Sequence, residues 1–114
     1  MAEFTAPYEL REYLTADGRS PFADWLDGLR DHRARARIDT RLARVRLGNL
    51  GDYQSVGDGV YELRVFYGPG YRVYFGFEAQ RVILLLAGGI KDTQPRDIAT
   101  AKSYWADYRS REDG

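Results

Sequence analysis

The chain has 114 residues, seventeen basic against seventeen acidic groups, and 44% hydrophobic and 14% aromatic content. That length suits a single domain spanning 1–114 with one core, and the apolar content with only four prolines excludes a low-complexity or disordered chain. With no cysteine and one histidine, His32, neither a disulfide framework, nor a zinc site, nor a Cys/His nucleophile is expected, and no cofactor or metal is called for.

Charge is unevenly spread. Residues 1–30 carry three basic and six acidic groups, whereas 31–46 carry six arginines against Asp31 and Asp39. Fifteen of the seventeen cations are arginine, a usage that either suits contacts with phosphate and carboxylate or reflects codon bias. The first residues show no charged-then-apolar leader pattern, and the longest apolar run, Val82 to Ala87, is far below the ~20 residues of a membrane span. A cytoplasmic protein is the expectation.

In chain order, Tyr8 to Leu14 alternates Tyr8, Leu10 and Leu14 against Glu9 and Arg11, the pattern of a strand, ended by Asp17-Gly18. Ser20-Pro21 has the order of a helix cap and first-turn proline, and Phe22, Trp25, Leu26 and Leu29 give that helix one apolar face. Asp31 caps a second helix to about Leu47, with Ala34, Ile38, Leu42 and Val45 as its buried stripe. On this helix Arg33, Arg37, Arg41 and Arg44 fall within an arc of about 80° beside the stripe. They form either a strip for an acidic partner or nucleic acid, or a solvated face whose stems cover the apolar stripe. The two helices make a helical hairpin, closed by Gly48, Asn49 and Gly51.

The hydrophobic period then changes from 3.6 to 2. Val60–Tyr67, Tyr71–Phe77 and Arg81–Ala87 read as a three-stranded antiparallel meander, joined through Gly68-Pro69-Gly70 and Glu78-Ala79-Gln80. Tyr61, Leu63 and Val65 share one face; Glu62, Arg64 and Phe66 share the other. Thr93-Gln94-Pro95 opens a last helix that packs through Ile98, Ala101, Trp105 and Tyr108, and Arg109–Gly114 reads as a frayed tail. The fold class is α+β: strand, helical hairpin, meander, C-terminal helix.

The chemistry-bearing cluster is cationic. Arg64 and Arg72 stand on adjacent strands with Lys91 just past the third. Like charges sharing a face repel unless an anion joins them, and that anion is either a bound phosphate or a neighbouring carboxylate such as Glu62. Tyr67, Tyr71 and Tyr74 offer aromatic surfaces for a base, or are simply strand tyrosines.

Four strings extend this reading: Tyr61-Glu62-Leu63-Arg64; Gly68-Pro69-Gly70-Tyr71-Arg72-Val73-Tyr74-Phe75; Leu84-Leu85-Leu86-Ala87-Gly88-Gly89-Ile90-Lys91; and Gln94 with Asp97-Ile98-Ala99, leading to Ala101 and Tyr104. In this order and spacing they resemble the RelE/ParE toxin superfamily, and within it the phage-derived, HigB-like addiction-module killer proteins. The resemblance implies the toxin of a type II toxin–antitoxin pair, bound and neutralised by a cognate antitoxin. In ribosome-dependent RelE-like members the toxin is an mRNA interferase: a 2′-hydroxyl of mRNA attacks its own 3′-phosphate in the decoding site, which halts translation. Carried over by motif, Arg64, Arg72 and Lys91 are expected near phosphate. Glu62 and Tyr74 are candidate catalytic orienters or bases, Tyr71 and Tyr104 RNA-contacting aromatics, and Arg33, Arg37, Arg41 and Arg44 the antitoxin surface. Where RelE has a catalytic tyrosine this chain has Asp97, and where RelE has a lysine it has Glu62. Other superfamily members block DNA gyrase and cut nothing, so a binding-only toxin or an inactive antitoxin-binding module is the alternative.

Overall fold

In the computed structural model, residues 6–113 are described. They form β1 (Glu9–Glu12), α1 (Pro21–Asp27), α2 (His32–Arg46), β2 (Tyr53–Gly57), β3 (Val60–Val65), β4 (Tyr71–Ala79), β5 (Val82–Ile90), a 3-10 turn (Lys91–Thr93) and α3 (Gln94–Asp113). The strands make one five-stranded mixed sheet in the order β1-β5-β4-β3-β2, antiparallel except for β1, which runs parallel to β5. The architecture is α+β.

Local chemistry explains the helix boundaries. The Ser20 hydroxyl accepts from the Ala23 N–H at 3.1 Å, and Asp31 accepts from the Arg33 and Ala34 N–H groups at 3.0 and 3.2 Å. Each cap satisfies N–H groups that the first turn leaves without an intrahelical partner.

Sheet alternation sends side chains into two cores. On one face Leu63, Val65, Val73, Phe75, Ile83 and Leu85 meet Phe22 of α1 and Ala34, Ile38, Leu42 and Val45 of α2. On the other, Val60, Tyr74, Leu84, Leu86 and Ala87 meet Ala101 and Trp105 of α3, with Tyr13 from the end of β1. Leu86 and Ala87 point the same way because the β4–β5 register slips between Tyr74 and Phe75, a bulge that restores alternation for Gly88 and Gly89.

Several elements differ from the sequence expectation: β1 and β3 are shorter than expected, and β4 runs on to Ala79 through the expected Glu78-Ala79-Gln80 turn. A fourth antiparallel strand, β2, precedes the meander; its residues are mostly exposed, so it carries no apolar alternation to reveal it. Two-residue turn Asp58-Gly59, with φ of 56° and 83°, joins it to β3. Strand β5 runs on through Gly88-Gly89 to Ile90, and α3 continues to Asp113, where a frayed tail was expected. The tail is held by Arg111, which pairs with Asp107 and donates to the Leu14 carbonyl at 2.9 Å. Among the described residues, no helix is long and apolar enough to cross a membrane.

The helices lie so close to the sheet that side chains are excluded where they cross it. A Cβ on Gly76 would stand 2.6 Å from the Trp105 ring, and one on Gly88 would overlap the Trp25 ring. Overpacking of this kind costs about 1–3 kcal/mol. Gly88→Ala is therefore expected to lower the unfolding free energy measured in urea by that amount, and an unchanged value would show that α1 slides freely over β5.

Candidate functional site

Register places four polar side chains in one block beneath α3. Glu62 pairs across the ladder with Tyr74, and Arg64 with Arg72; since all four alternate with core residues, all four point to the α3 face. Two arginines directly opposite each other would repel. The chain supplies its own counter-ion: Glu62, completely buried, places Oε1 3.2 Å from Arg64 Nε and Oε2 3.4 Å from Arg72 Nε.

The same carboxylate is gripped from two further elements. Gln94, the first residue of α3, donates from Nε2 to Oε2 at 2.7 Å, and Gln54 of β2 donates to Oε1 at 3.5 Å. Arg72 Nη1 donates to the Gly70 carbonyl at 3.0 Å, and that carbonyl also accepts from the Lys91 backbone N–H at 2.9 Å. Arg64, Arg72 and Lys91, separated in sequence, are thus brought together at one end of the sheet. The Arg72 side chain is 11% exposed and the Arg64 side chain 32%, while Lys91 is exposed.

A guanidinium carries five N–H donors. Among the described residues, Arg64 hydrogen-bonds only through its Nε, on Glu62, so its Nη groups keep donor capacity to spare. The sequence left open whether a phosphate or a carboxylate neutralises the pair. Glu62 holds the inner edge and leaves Arg64 and Lys91 open on the outer one.

Tyr74 is fully buried in this block, with its hydroxyl unpaired by a hydrogen bond among the described residues. Burial, and then the Glu62 carboxylate, push its pKa well above the usual phenol value, so at neutral pH it keeps its proton. Nearby, Asp97 of α3 lies against the Gly89 backbone, receives the Thr93 hydroxyl, and has Arg96 Nε 3.7 Å away.

Two expected members lie elsewhere. Tyr71 faces the opposite core, 6% exposed, its ring 6.3 Å from that of Trp25, because it alternates with Arg72. Tyr104 stacks on Tyr13 at 4.9 Å between centroids, ten residues along α3 from Gln94 and so about 15 Å up the helix. Conversely, Gln54 and Gln94 complete the site and were not expected there; Gln54 was hidden with its strand.

The α2 arginines divide. Arg41 turns inward and donates to the carbonyls of Arg64 (3.3 Å), Asp52 (3.2 Å) and Leu50. Burial, with the charge of Arg44 adding, lowers its pKa. Arg37 lies 5.1 Å over the Tyr67 ring. Arg33 and Arg44 are exposed.

No family model matches the chain. An uncharacterized protein of Haemophilus influenzae is 47% identical over 81 residues, 71% of this chain and 82% of that protein. The chain belongs to that protein's family. The chemistry of the site rests on its geometry.

The buried carboxylate makes a strong stability prediction. Removing one partner of a buried charge network costs about 3–5 kcal/mol, while replacing the ions by well-packed apolar groups is often neutral. Glu62→Ala is expected to lose stability in that range and Glu62→Met/Arg72→Met to recover most of it, measured by urea unfolding. Equal losses in both would place the cost in packing instead of charge.

Tyr74 adds a pH test. Its folded pKa lies above the unfolded value of 10.0, so the folded state holds its proton more tightly. Stability is then full below about pH 10 and falls as pH rises further. Tyr74→Phe, which removes a hydroxyl with no partner, is expected to fold at least as stably and to flatten this alkaline decline. An undiminished decline would assign it to other groups.

Proposed function

We propose that this chain is the toxin of a type II toxin–antitoxin pair, a metal-independent endoribonuclease that cleaves mRNA on the ribosome and is neutralised by a cognate antitoxin in the cytoplasm. The observation that carries the reading is the convergence of Arg64, Arg72 and Lys91 at one end of the sheet, the first two held in place by Glu62. The order of elements and the four sequence strings support the RelE-like, HigB-type assignment.

The reaction asks little else of the protein. A 2′-hydroxyl oxygen attacks the adjacent phosphorus, the bond to the 5′-oxygen of the next nucleotide breaks, and the strand ends in a cyclic phosphate and a 5′-hydroxyl. The proton leaves the attacking hydroxyl and one is gained by the departing oxygen. Negative charge develops on the phosphoryl oxygens, and fixed guanidinium and ammonium groups lower its energy without reorganising. Alignment of the strand is the ribosome's contribution.

Within this reading Glu62 is a positioning residue. Its oxygens are occupied by Arg64, Arg72, Gln54 and Gln94, which leaves it poorly placed to accept a proton from substrate. Tyr74 keeps its proton and is fully buried, so it is no base and does not reach a substrate on the open edge. Arg72 contributes charge from behind Arg64 and Lys91.

A second reading has one observation in its favour: the ion pairs of Glu62 give both arginines a structural role even without a substrate. A binding-only toxin, acting on a partner such as DNA gyrase, would need no more.

Inducing the chain without its antitoxin and mapping the 5′ ends of cellular mRNA separates the two. Arg64→Ala alters the more open arginine and is expected to fold normally by circular dichroism while cleavage falls about 10²–10³-fold and growth arrest is lost. Arrest with no new ends inside translated codons would move the assignment to the binding-only reading, and arrest unaltered by Arg64→Ala or Arg72→Ala would remove the cationic site from the mechanism.

A further inference from the structure

A second charged feature adjoins the site. Between α2, the loop from Asn49 to Asp52 and the end of β3 lies a cleft of about 500 Å³ lined by Arg37, Arg41, Arg44 and Arg64, with Phe66 on its rim. Its size is that of a small-ligand cleft, about 300–1,000 Å³. In a chain with no net charge, three of the lining arginines, Arg37, Arg41 and Arg44, stand against one acidic residue, Asp52, while the fourth, Arg64, borders the cleft with its guanidinium paired to Glu62.

The cations are held in place with little neutralisation. Among the described residues, Arg37, Arg41 and Arg44 form no ion pair with a carboxylate. Arg41 forms the floor, its guanidinium donating to the backbone carbonyls of Leu50, Asp52 and Arg64. The loop reaches it only because residue 51 is glycine: φ is +61°, and a Cβ there would lie 2.7 Å from Arg41 Nη2. Arg37 is steadied by the Tyr67 ring.

Phe66 is 76% exposed. A large aromatic ring left in water at the edge of a cationic cleft is the arrangement on which single-stranded nucleic acids bind, with bases stacked on the ring and phosphates along the cations. A docked amphipathic helix would instead require an apolar stripe, and the lining offers only Val65 and Phe66.

We infer that this cleft binds single-stranded RNA, with one base stacked on Phe66 and the flanking phosphates at Arg37 and Arg44, so that the strand continues over Arg64 to the Arg72–Lys91 end of the sheet. Arg64 lines the cleft and also pairs with Glu62, which makes it the link between the two. The inference deepens the ribonuclease reading and rests on it for the direction of the strand.

The test uses the full chain and a short fluorescein-labelled oligo-uridylate, read by anisotropy over a range of salt concentrations without ribosomes. Phe66→Ala is expected to weaken binding about 5–150-fold with an unaltered salt slope. Arg37→Ala/Arg44→Ala should weaken it and reduce the slope by about 1.4, since each single-strand phosphate contact contributes about 0.7. Arg35→Ala, on the same helix outside the cleft, should bind as wild type. Wild-type affinity in both cleft variants would overturn the inference, as would an aspartate-rich peptide whose binding depends on Arg37 and Arg44 while oligo-uridylate binding does not. The latter outcome would give the cleft to an acidic antitoxin. If the cleft variants lose oligonucleotide while the wild type produces neither growth arrest nor new mRNA ends, the cleft assignment stands and the toxin reading falls.

Discussion

The buried Glu62 carboxylate is the interaction on which the arrangement at this end of the sheet depends. Isolated at complete burial, such a charge would cost several kcal/mol to desolvate. It is tolerable because two guanidinium groups and two amides converge on it from β2, β3, β4 and the start of α3. The dependence is mutual: without Glu62, Arg64 and Arg72, which face each other across the ladder, would be two like charges held beneath a helix. One carboxylate therefore permits the arginines to stand together, and Gln94 ties that permission to the seating of α3.

This arrangement separates the two edges of the cationic pair. Inward, one buried carboxylate holds both guanidinium groups and water is excluded, so interactions there are strong and geometry is stiff. Outward, Arg64 and Lys91 meet solvent with donors to spare. A rigid, internally compensated support under an open cationic edge is suited to a task in which charge must already be in place when it is needed, because the donors do not then have to reorganise. Tyr74 belongs to the same block: its buried hydroxyl has no hydrogen-bond partner among the described residues, which is costly, and Arg72 Nε beside it has the Glu62 carboxylate only as an ion-pair partner at 3.4 Å.

Much of the fold was legible because its period is strong. The α1 and α2 caps, the apolar stripe of α2, the three long strands and the separate alternations of Glu62 with Arg64 and of Arg72 with Tyr74 follow from spacings of 3.6 or 2, whereas the common face of all four is fixed by the β3–β4 register. Strand β2 was not, since Tyr53, Gln54 and Ser55 are exposed and an edge strand with solvent on both faces writes no alternation. Its Asp58-Gly59 turn did carry a hairpin signal, with the incoming strand too polar to match it. Tyr71 was grouped with the RNA-facing aromatics on residue type, although alternation from Arg72 already sends it to the opposite face. The tertiary partners Gln54 and Gln94 lie on separate elements, and only pairing in space makes them one shell around Glu62.

The α2 arginines show the same limit from the other side. Helical spacing puts Arg33, Arg37, Arg41 and Arg44 on one strip, yet the fold uses them for different ends. Arg41 closes the α2–β2 loop, its guanidinium donating to the carbonyls of Leu50, Asp52 and Arg64. Arg37 is braced on Tyr67, and Arg44 stands open beside it. Because Arg41 binds the Arg64 carbonyl while the Arg64 side chain binds Glu62, one β3 residue joins the helical hairpin to the α3 side of the sheet. The cleft and the Glu62 block are thus two faces of a continuous structure, and a polyanion wide enough to touch Arg44 and Lys91 at once would meet Arg64 between them.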